Sequence, residues 1–290
     1  MVFGVGPLGA RALNLKSWLG RRQVLAIASA CSCLLFASFA LAAPRGVFDP
    51  SFGVGGKLIA QWGTAPADCV ASGVNAVAIQ RDGKILAAGV ATTGSCSTPS
   101  DVGVIFRLQA NGAPDPSFGS SGHVTLSAGA AKAIALTRDG RITVAGQGFV
   151  ARLRSNGSLD SSFGKGGVFR AGGRNFAAMA IKHNGKIVLA GQIGPYEGHQ
   201  FLVGRLTKTG KPDRSFGHRG FTTLNLAKHQ RAGSDALALA LASHGKIVVT
   251  GEAGDNDNGV VARFGANGRL DRSFGHKGTV IGPGGCKERI

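Results

Sequence analysis

A chain of 290 residues with 47 Gly, one Tyr and two Trp is a chain of turns and short strands, which excludes a helical bundle. A formal charge of +18 directs it toward anionic partners. Nucleic acid is excluded among these, because neither interleaved stacking aromatics nor a groove-reading helix is visible.

In chain order, the first element is a targeting segment. Arg21-Arg22 precedes the apolar run QVLAIASACSCLLFASFALA, which ends in Ala40-Leu41-Ala42. A basic region, an apolar stretch and an A-x-A site together predict a signal peptide over residues 1–42, cut after Ala42. The paired arginines also fit a twin-arginine signal. The run is near the length of a membrane span, so an uncleaved anchor is the alternative. Cleavage would place the protein outside the cytoplasm, in the periplasm or beyond. Removing Arg11, Lys16, Arg21 and Arg22 from the 33 basic residues leaves 29 against 15 acidic, a net +14.

From residue 47 onward the chain repeats. Asp-x-Ser-Phe-Gly occurs five times, with its Phe at Phe52, Phe118, Phe163, Phe216 and Phe274. A second motif keeps step: Asp82-Gly83-Lys84-Ile85, Asp139-Gly140-Arg141-Ile142, Asn184-Gly185-Lys186-Ile187 and His244-Gly245-Lys246-Ile247. Each is followed by an apolar run and a glycine, at Gly89, Gly146, Gly191 and Gly251. A third motif ends at Gly112, Gly157, Gly210 and Gly268. Fixed motifs at periods of 45–66 residues predict stacked structural repeats. The first period reads as strands over about 57–62, 74–80, 84–91 and 103–109, the middle two joined by a type I′ Asp-Gly turn. Four strands per period, repeated radially, make an all-β, β-propeller-like fold of four four-stranded blades. The segment 278–282 is then an extra C-terminal strand, left over if four blades close a ring. An open arc completed by a homo-oligomer is the alternative.

The pattern DGKIxxxG…RL…NGxxDxSFGxxG resembles the delta-60 repeat, a bacterial β-propeller-type repeat, over about residues 47–282. The resemblance implies a propeller domain over 43–283, a short tail over 284–290 and an exported location. It implies no activity and no cofactor.

Two repeated side chains suggest a scaffold. The repeat Phe is suited to filling the gap between neighbouring blades, worth roughly 1.5–3 kcal/mol each. Arg107, Arg152, Arg205 and Arg263 lie eight residues before Asp115, Asp160, Asp213 and Asp271. A constant offset predicts a constant contact, drawn here as a bidentate Arg–carboxylate bridge.

Alternating strand direction sorts the loops onto two faces. One carries the repeated turns; the other carries loops that differ in every repeat, including 63–73, 92–100, 193–200, 227–235 and 253–258. Residues 44–130 balance five basic against five acidic residues, while 131–290 hold 24 against 10. The excess gathers at the repeated turns, where Lys186, Lys208, Lys211, Arg214, Arg219, Arg269, Arg272 and Lys277 form a candidate polyanion-binding face. Anionic envelope polysaccharide or another envelope protein is the expected partner.

Chemistry is harder to find. No His or Cys spacing suits zinc, and no nucleophile elbow, P-loop or paired catalytic carboxylate appears. The calcium-like GDNDNG at 254–259 lacks its Glu, since the twelfth loop position is Ala266. No catalytic residue and no metal ligand is assigned. The reading is a noncatalytic binding or structural module at the envelope. The alternative is a polysaccharide hydrolase or lyase using Glu197, His199, His229, Asp235 and Asp255 of the variable face. Cys69 and Cys96 sit in two long loops on that same face and are paired as a disulfide, leaving Cys286 single in the tail.

Overall fold

The computed structural model describes residues 47–59, 72–95, 97–126, 129–195, 198–226, 233–253 and 258–282. All of these but Val47 belong to one compact unit, Phe48–Ile290. The expected signal segment, strand residues 60–62, Cys69, Cys96 and Cys286 lie outside the described residues.

Fourteen strands run through the described residues, every neighbouring pair antiparallel. The first blade is β1 (Gly73–Ile79), β2 (Ile85–Ser95), β3 (Thr98–Leu108) and β4 (His123–Leu126), paired in that order. The last is β11 (Ser234–Leu241), β12 (Ile247–Ala253), β13 (Asn258–Phe264) and β14 (Thr279–Ile281). Between them, β5 (Ala131–Leu136), β6 (Ile142–Leu153), β7 (Val168–Ile181), β8 (Ile187–Ile193), β9 (Gln200–Leu206) and β10 (Phe221–Leu224) join in one sheet. That sheet is two blades sharing bent strands. In β7, residues 168–170 pair with 149–151 of β6, while 174–181 pair with β8. The bend falls at Gly172 and Gly173, whose φ values of 56° and 76° suit glycine. The architecture is thus an all-β propeller of four blades. Among the described residues no helix is long and apolar enough to cross a membrane.

The strand after each Ser-Phe-Gly pairs backward, not forward. Phe106 faces His123, Ala151 faces Val168, Gly204 faces Phe221, and Ala262 faces Thr279. What the sequence suggests as the first strand of a blade is therefore the fourth strand of the preceding one. The C-terminal strand is not surplus: β14 completes the last blade. The unmatched segment lies at the other end, where 57–59 form no strand and only a Val54–Lys57 bridge is made. Periodicity locates strands, but the neighbour is chosen by the tight Ser-Phe-Gly turn, which folds the chain back on itself. The two-faced sorting of loops survives this shift, because it depends only on alternating direction.

The turn at Asp82-Gly83 also differs from expectation. Gly83 N–H bonds Gln80 O and Gln80 N–H bonds Lys84 O, closing a three-residue loop. Only its glycine has positive φ, at 81°, which is a type I turn with a bulge and not a type I′ turn. His244-Gly245, with φ 56° and 73°, has both residues in that region.

The core lies between blades. In β8, Ile187 and Leu189 pack toward the second blade while Val188 and Ala190 pack toward the fourth, since successive side chains point to opposite faces. Both faces being covered explains the unbroken apolar run over residues 187–190 of β8. Each innermost strand bulges at one residue: Asn75, Lys132, Ala177 and Leu237. The bulge drives a backbone carbonyl against the next strand. A Cβ at Gly89, Gly146, Gly191 or Gly251 would sit 1.8–2.1 Å from that oxygen, which is why the repeat needs glycine there. The innermost strands touch in the order β1, β5, β7, β11. No comparable contact joins β11 to β1 among the described residues, so the four blades form an arc.

Candidate functional site

Four of the five repeated turns are organised around one aspartate, buried at Asp115, Asp160 and Asp213 and half-buried at Asp271. Asp115 Oδ2 accepts from Arg107 Nε at 2.7 Å and lies 2.9 Å from Lys84 Nζ. Asp160 pairs with Arg152 at 2.8 Å and Arg141 at 3.1 Å. Asp213 pairs with Arg205 at 2.7 Å and Lys186 at 2.8 Å. Asp271 pairs with Arg263 and Lys246, each at 2.8 Å. The Arg contact is single, through Nε, and not bidentate. The second nitrogen, Nη2, donates to Ser117, Ser162, Ser215 or Ser273. Those serines donate both backbone N–H and hydroxyl to Asp Oδ1. The guanidinium carbon rests 4.7–4.8 Å from the ring centroid of Phe118, Phe163, Phe216 or Phe274.

The carboxyls are held below the usual range. At Asp115 the main cause is Lys84, and at Asp271 it is Lys246. At Asp160 the Ser162 hydroxyl leads. At Asp213 burial pushes upward, but Lys186, Ser215 and Arg205 together outweigh it. Every node therefore holds two cations and one anion, and keeps one positive charge.

The Lys84, Arg141, Lys186 and Lys246 contacts lack a sequence signal of the kind that marks the arginines. The loops between those residues and their aspartates differ in length, so no constant offset betrays them. Phe118, Phe163 and Phe216 are fully buried, while Phe52 and Phe274 are half-buried.

Of the eight basic residues predicted for the polyanion face, Lys186 is engaged by Asp213. Lys208, Lys211, Arg214, Arg219, Arg269, Arg272 and Lys277 are exposed and make no ion pair among the described residues. Three clefts gather some of them. One of about 970 Å³ is bordered by Lys211, Arg214 and Arg219. Another of about 780 Å³ is bordered by Arg138, Lys182 and Lys208. There burial, with Arg205 and Lys186 nearby, holds the Lys182 amine below its ordinary value. Arg272 and Lys277 stand apart from these clefts.

The third cleft, about 640 Å³, brings together Arg174, Arg214, Arg269 and His218, and no carboxylate borders it. Arg174 was not apparent from sequence, because it occupies the bend of β7 and not a repeated turn. Its guanidinium lies over Phe221 at 4.4 Å, Nη1 donates to Ala171 O at 2.7 Å, and Nε is buried without a partner among the described residues. Phe221 in turn stacks with Phe169 at 6.5 Å. Three guanidiniums around one cleft can hold an anion by charge and by forked hydrogen bonds.

Three segments match a β-propeller family. Residues 80–118, 137–163 and 243–274 fit the family model described as a domain of unknown function (DUF5122) β-propeller. Each matched DUF5122 segment begins after a blade's innermost strand, runs through its second and third strands and ends at the Phe of Ser-Phe-Gly, so each contains a complete Arg–Asp–Phe node. The third blade carries the same node with the same distances outside those segments. No curated protein sequence matches the chain. A crystal structure of a protein of unknown function from Bacteroides caccae is similar at 14% identity and TM-score 0.39, covering 67% of this chain and 57% of that one. The chain thus spans a little over half the length of that structure.

On the variable face, His199 Nε2 and Asp235 Oδ2 lie 2.9 Å apart. Glu197, His229 and Asp255 are outside the described residues, as is most of the calcium-like loop. Among the described residues, no group of three or more His, Cys, Asp and Glu could hold a metal ion.

Proposed function

We propose that this chain is an exported, noncatalytic propeller of the delta-60 type that binds an anionic envelope polymer at its repeated-turn face. The observation that supports the reading is the cleft of Arg174, Arg214 and Arg269, which has no carboxylate to neutralise it. Every aspartate of the described nodes already has two cationic partners, so the nodes offer no further carboxylate to the surplus arginines and lysines. An extended polyanion crossing the neighbouring clefts would meet Lys211 and Arg219 as well. Screening over a Debye length of about 8–10 Å makes such binding salt-sensitive.

The test is retention of the mature chain on immobilised heparin and on lipopolysaccharide over a salt gradient. Wild type should elute late, and the Arg214→Glu, Arg269→Glu double variant should flow through at moderate salt. Both arginines are exposed, so the variant should melt at the wild-type temperature. Equal retention of the two proteins would sink the proposal. The hydrolase or lyase reading keeps one observation, the His199–Asp235 pair. Release of reducing or unsaturated ends from envelope glycan would favour it.

A further inference from the structure

The three junctions inside the chain are built to one pattern, and the arc ends with half of a fourth. At each junction the glycine of Ser-Phe-Gly donates its N–H to a turn carbonyl of the next blade: Gly119 to Asn156, Gly164 to Thr209 and Gly217 to Asn267, at 2.8–2.9 Å. Nη1 of the node arginine reaches the preceding residue's carbonyl: Arg107 to Ser155, Arg152 to Lys208, Arg205 to Ala266. The trailing face of the third blade, Val188, Ala190, Val203 and Phe216, is completely buried by the fourth.

Among the described residues, no element covers the same trailing face of the fourth blade. Val248, Thr250 and Val261 occupy the positions of Val188, Ala190 and Val203, yet are half-buried or exposed. Val280 is 46% exposed. The Arg263 side chain is 25% exposed, against 6% for Arg205. Gly275 N–H and Arg263 Nη1 have no acceptor among the described residues.

The leading face of the first blade is complementary and only partly covered. Its turn carries Ala110-Asn111-Gly112, equivalent to Ala266-Asn267-Gly268. Asn111 O already accepts Gly53 N–H at 2.8 Å, and Phe52 packs where a Gly112 Cβ would be. Asp49-Pro50-Ser51-Phe52-Gly53 thus stands in, incompletely, for the turn of a neighbouring blade. Position 41, eight residues before Asp49, is Leu and not Arg. Val74, Val77 and Ile79 stay 58–71% exposed. An apolar cavity of about 400 Å³ remains between the stand-in and β1.

We infer that the trailing face of the fourth blade takes the leading face of the first blade of a second copy of this chain, with residues 271–275 displacing that copy's 49–53. Two copies doing this reciprocally close an eight-bladed ring. Blade counts of four to eight are usual for propellers, and a head-to-tail contact closes or polymerises according to its rotation. Charge also selects this pairing. The leading half, 44–130, is balanced at five basic and five acidic residues, whereas two trailing halves would bring their basic excess together. The new junction repeats the three interfaces the chain already makes.

The experiment is light scattering and sedimentation of the full mature chain over a range of concentrations, with reductant present so that Cys286 cannot link copies. Wild type should convert from monomer to dimer and no further. Val261→Lys on the trailing face and Val77→Lys on the leading face should each remain monomeric, and a mixture of the two should form one heterodimer. Both positions are at least partly open in the monomer, so a wild-type melting temperature should confirm that each variant folds. Phe52→Ala, which loosens the stand-in, should tighten dimerisation at least threefold. A wild type that stays monomeric at millimolar concentration overturns the inference. So does a Val77→Lys variant that dimerises normally, which would mean a tail-to-tail contact, or open-ended polymers, which would exclude the ring.

Discussion

The repeat Phe makes the packing argument quantitative. Phe216 is fully buried between the third and fourth blades, with Arg205 over one face and Gly268 against its edge. Phe274 is the same residue at the open end of the arc, half-buried and with no blade beyond it among the described residues. Truncating a buried Phe loses its transfer free energy and leaves a cavity that a two-sided sheet sandwich cannot close, about 3–5 kcal/mol. For a domain of this size that is a drop in melting temperature of roughly 8–16 °C for about 4 kcal/mol. At Phe274 the exposed part of the ring has no transfer term to lose, so the expected cost is about half, near 2 kcal/mol. The assay is urea unfolding of Phe216→Ala and Phe274→Ala at a protein concentration where light scattering finds a monomer. A Phe216→Ala loss below about 1 kcal/mol, or equal losses at the two sites, would refute the claim that blade-to-blade packing of this ring holds the arc together.

Three further outcomes are expected. The node carboxylates titrate below their unfolded value near 3.9, so their stabilisation is complete above that pH and is lost as pH falls through the depressed folded values; melting temperature should be flat from pH 7 to 5 and fall below pH 4, and an unchanged melt at pH 2.5 would contradict this. Gly191→Ala should cost about 1–3 kcal/mol or more by pushing a Cβ to 1.9 Å from Asn175 O, and should cost more than Gly140→Ala, whose Cβ meets open space; the comparison is read by thermal melts. Non-reducing peptide mapping should yield a linked peptide containing Cys69 and Cys96, and reduction should lower stability by roughly 3 kcal/mol; alkylation of both thiols without reduction would rule the bridge out.

The sequence alone determined what is local and repeated. Alternating side chains and the Asp-Gly and Ser-Phe-Gly turns locate almost every strand, because strand and turn are properties of a few adjacent residues. The eight-residue spacing brings Arg107 to Asp115 and Arg205 to Asp213 because both ends lie on one short excursion between paired strands. Charge by sequence position located the basic turns for the same reason. Only the tertiary structure decided the rest. Which neighbour a strand takes depends on how the Ser-Phe-Gly turn folds back, and that reversed the assignment of 279–281 from surplus strand to fourth strand. Lys84 reaches Asp115, and Lys186 reaches Asp213, across loops of unequal length, so contact exists without constant spacing. Arg174 joins Arg214 and Arg269 in one cleft only because β7 bends between two blades. Whether the arc closes is set by the accumulated rotation from blade to blade, a sum over interfaces that no single motif encodes.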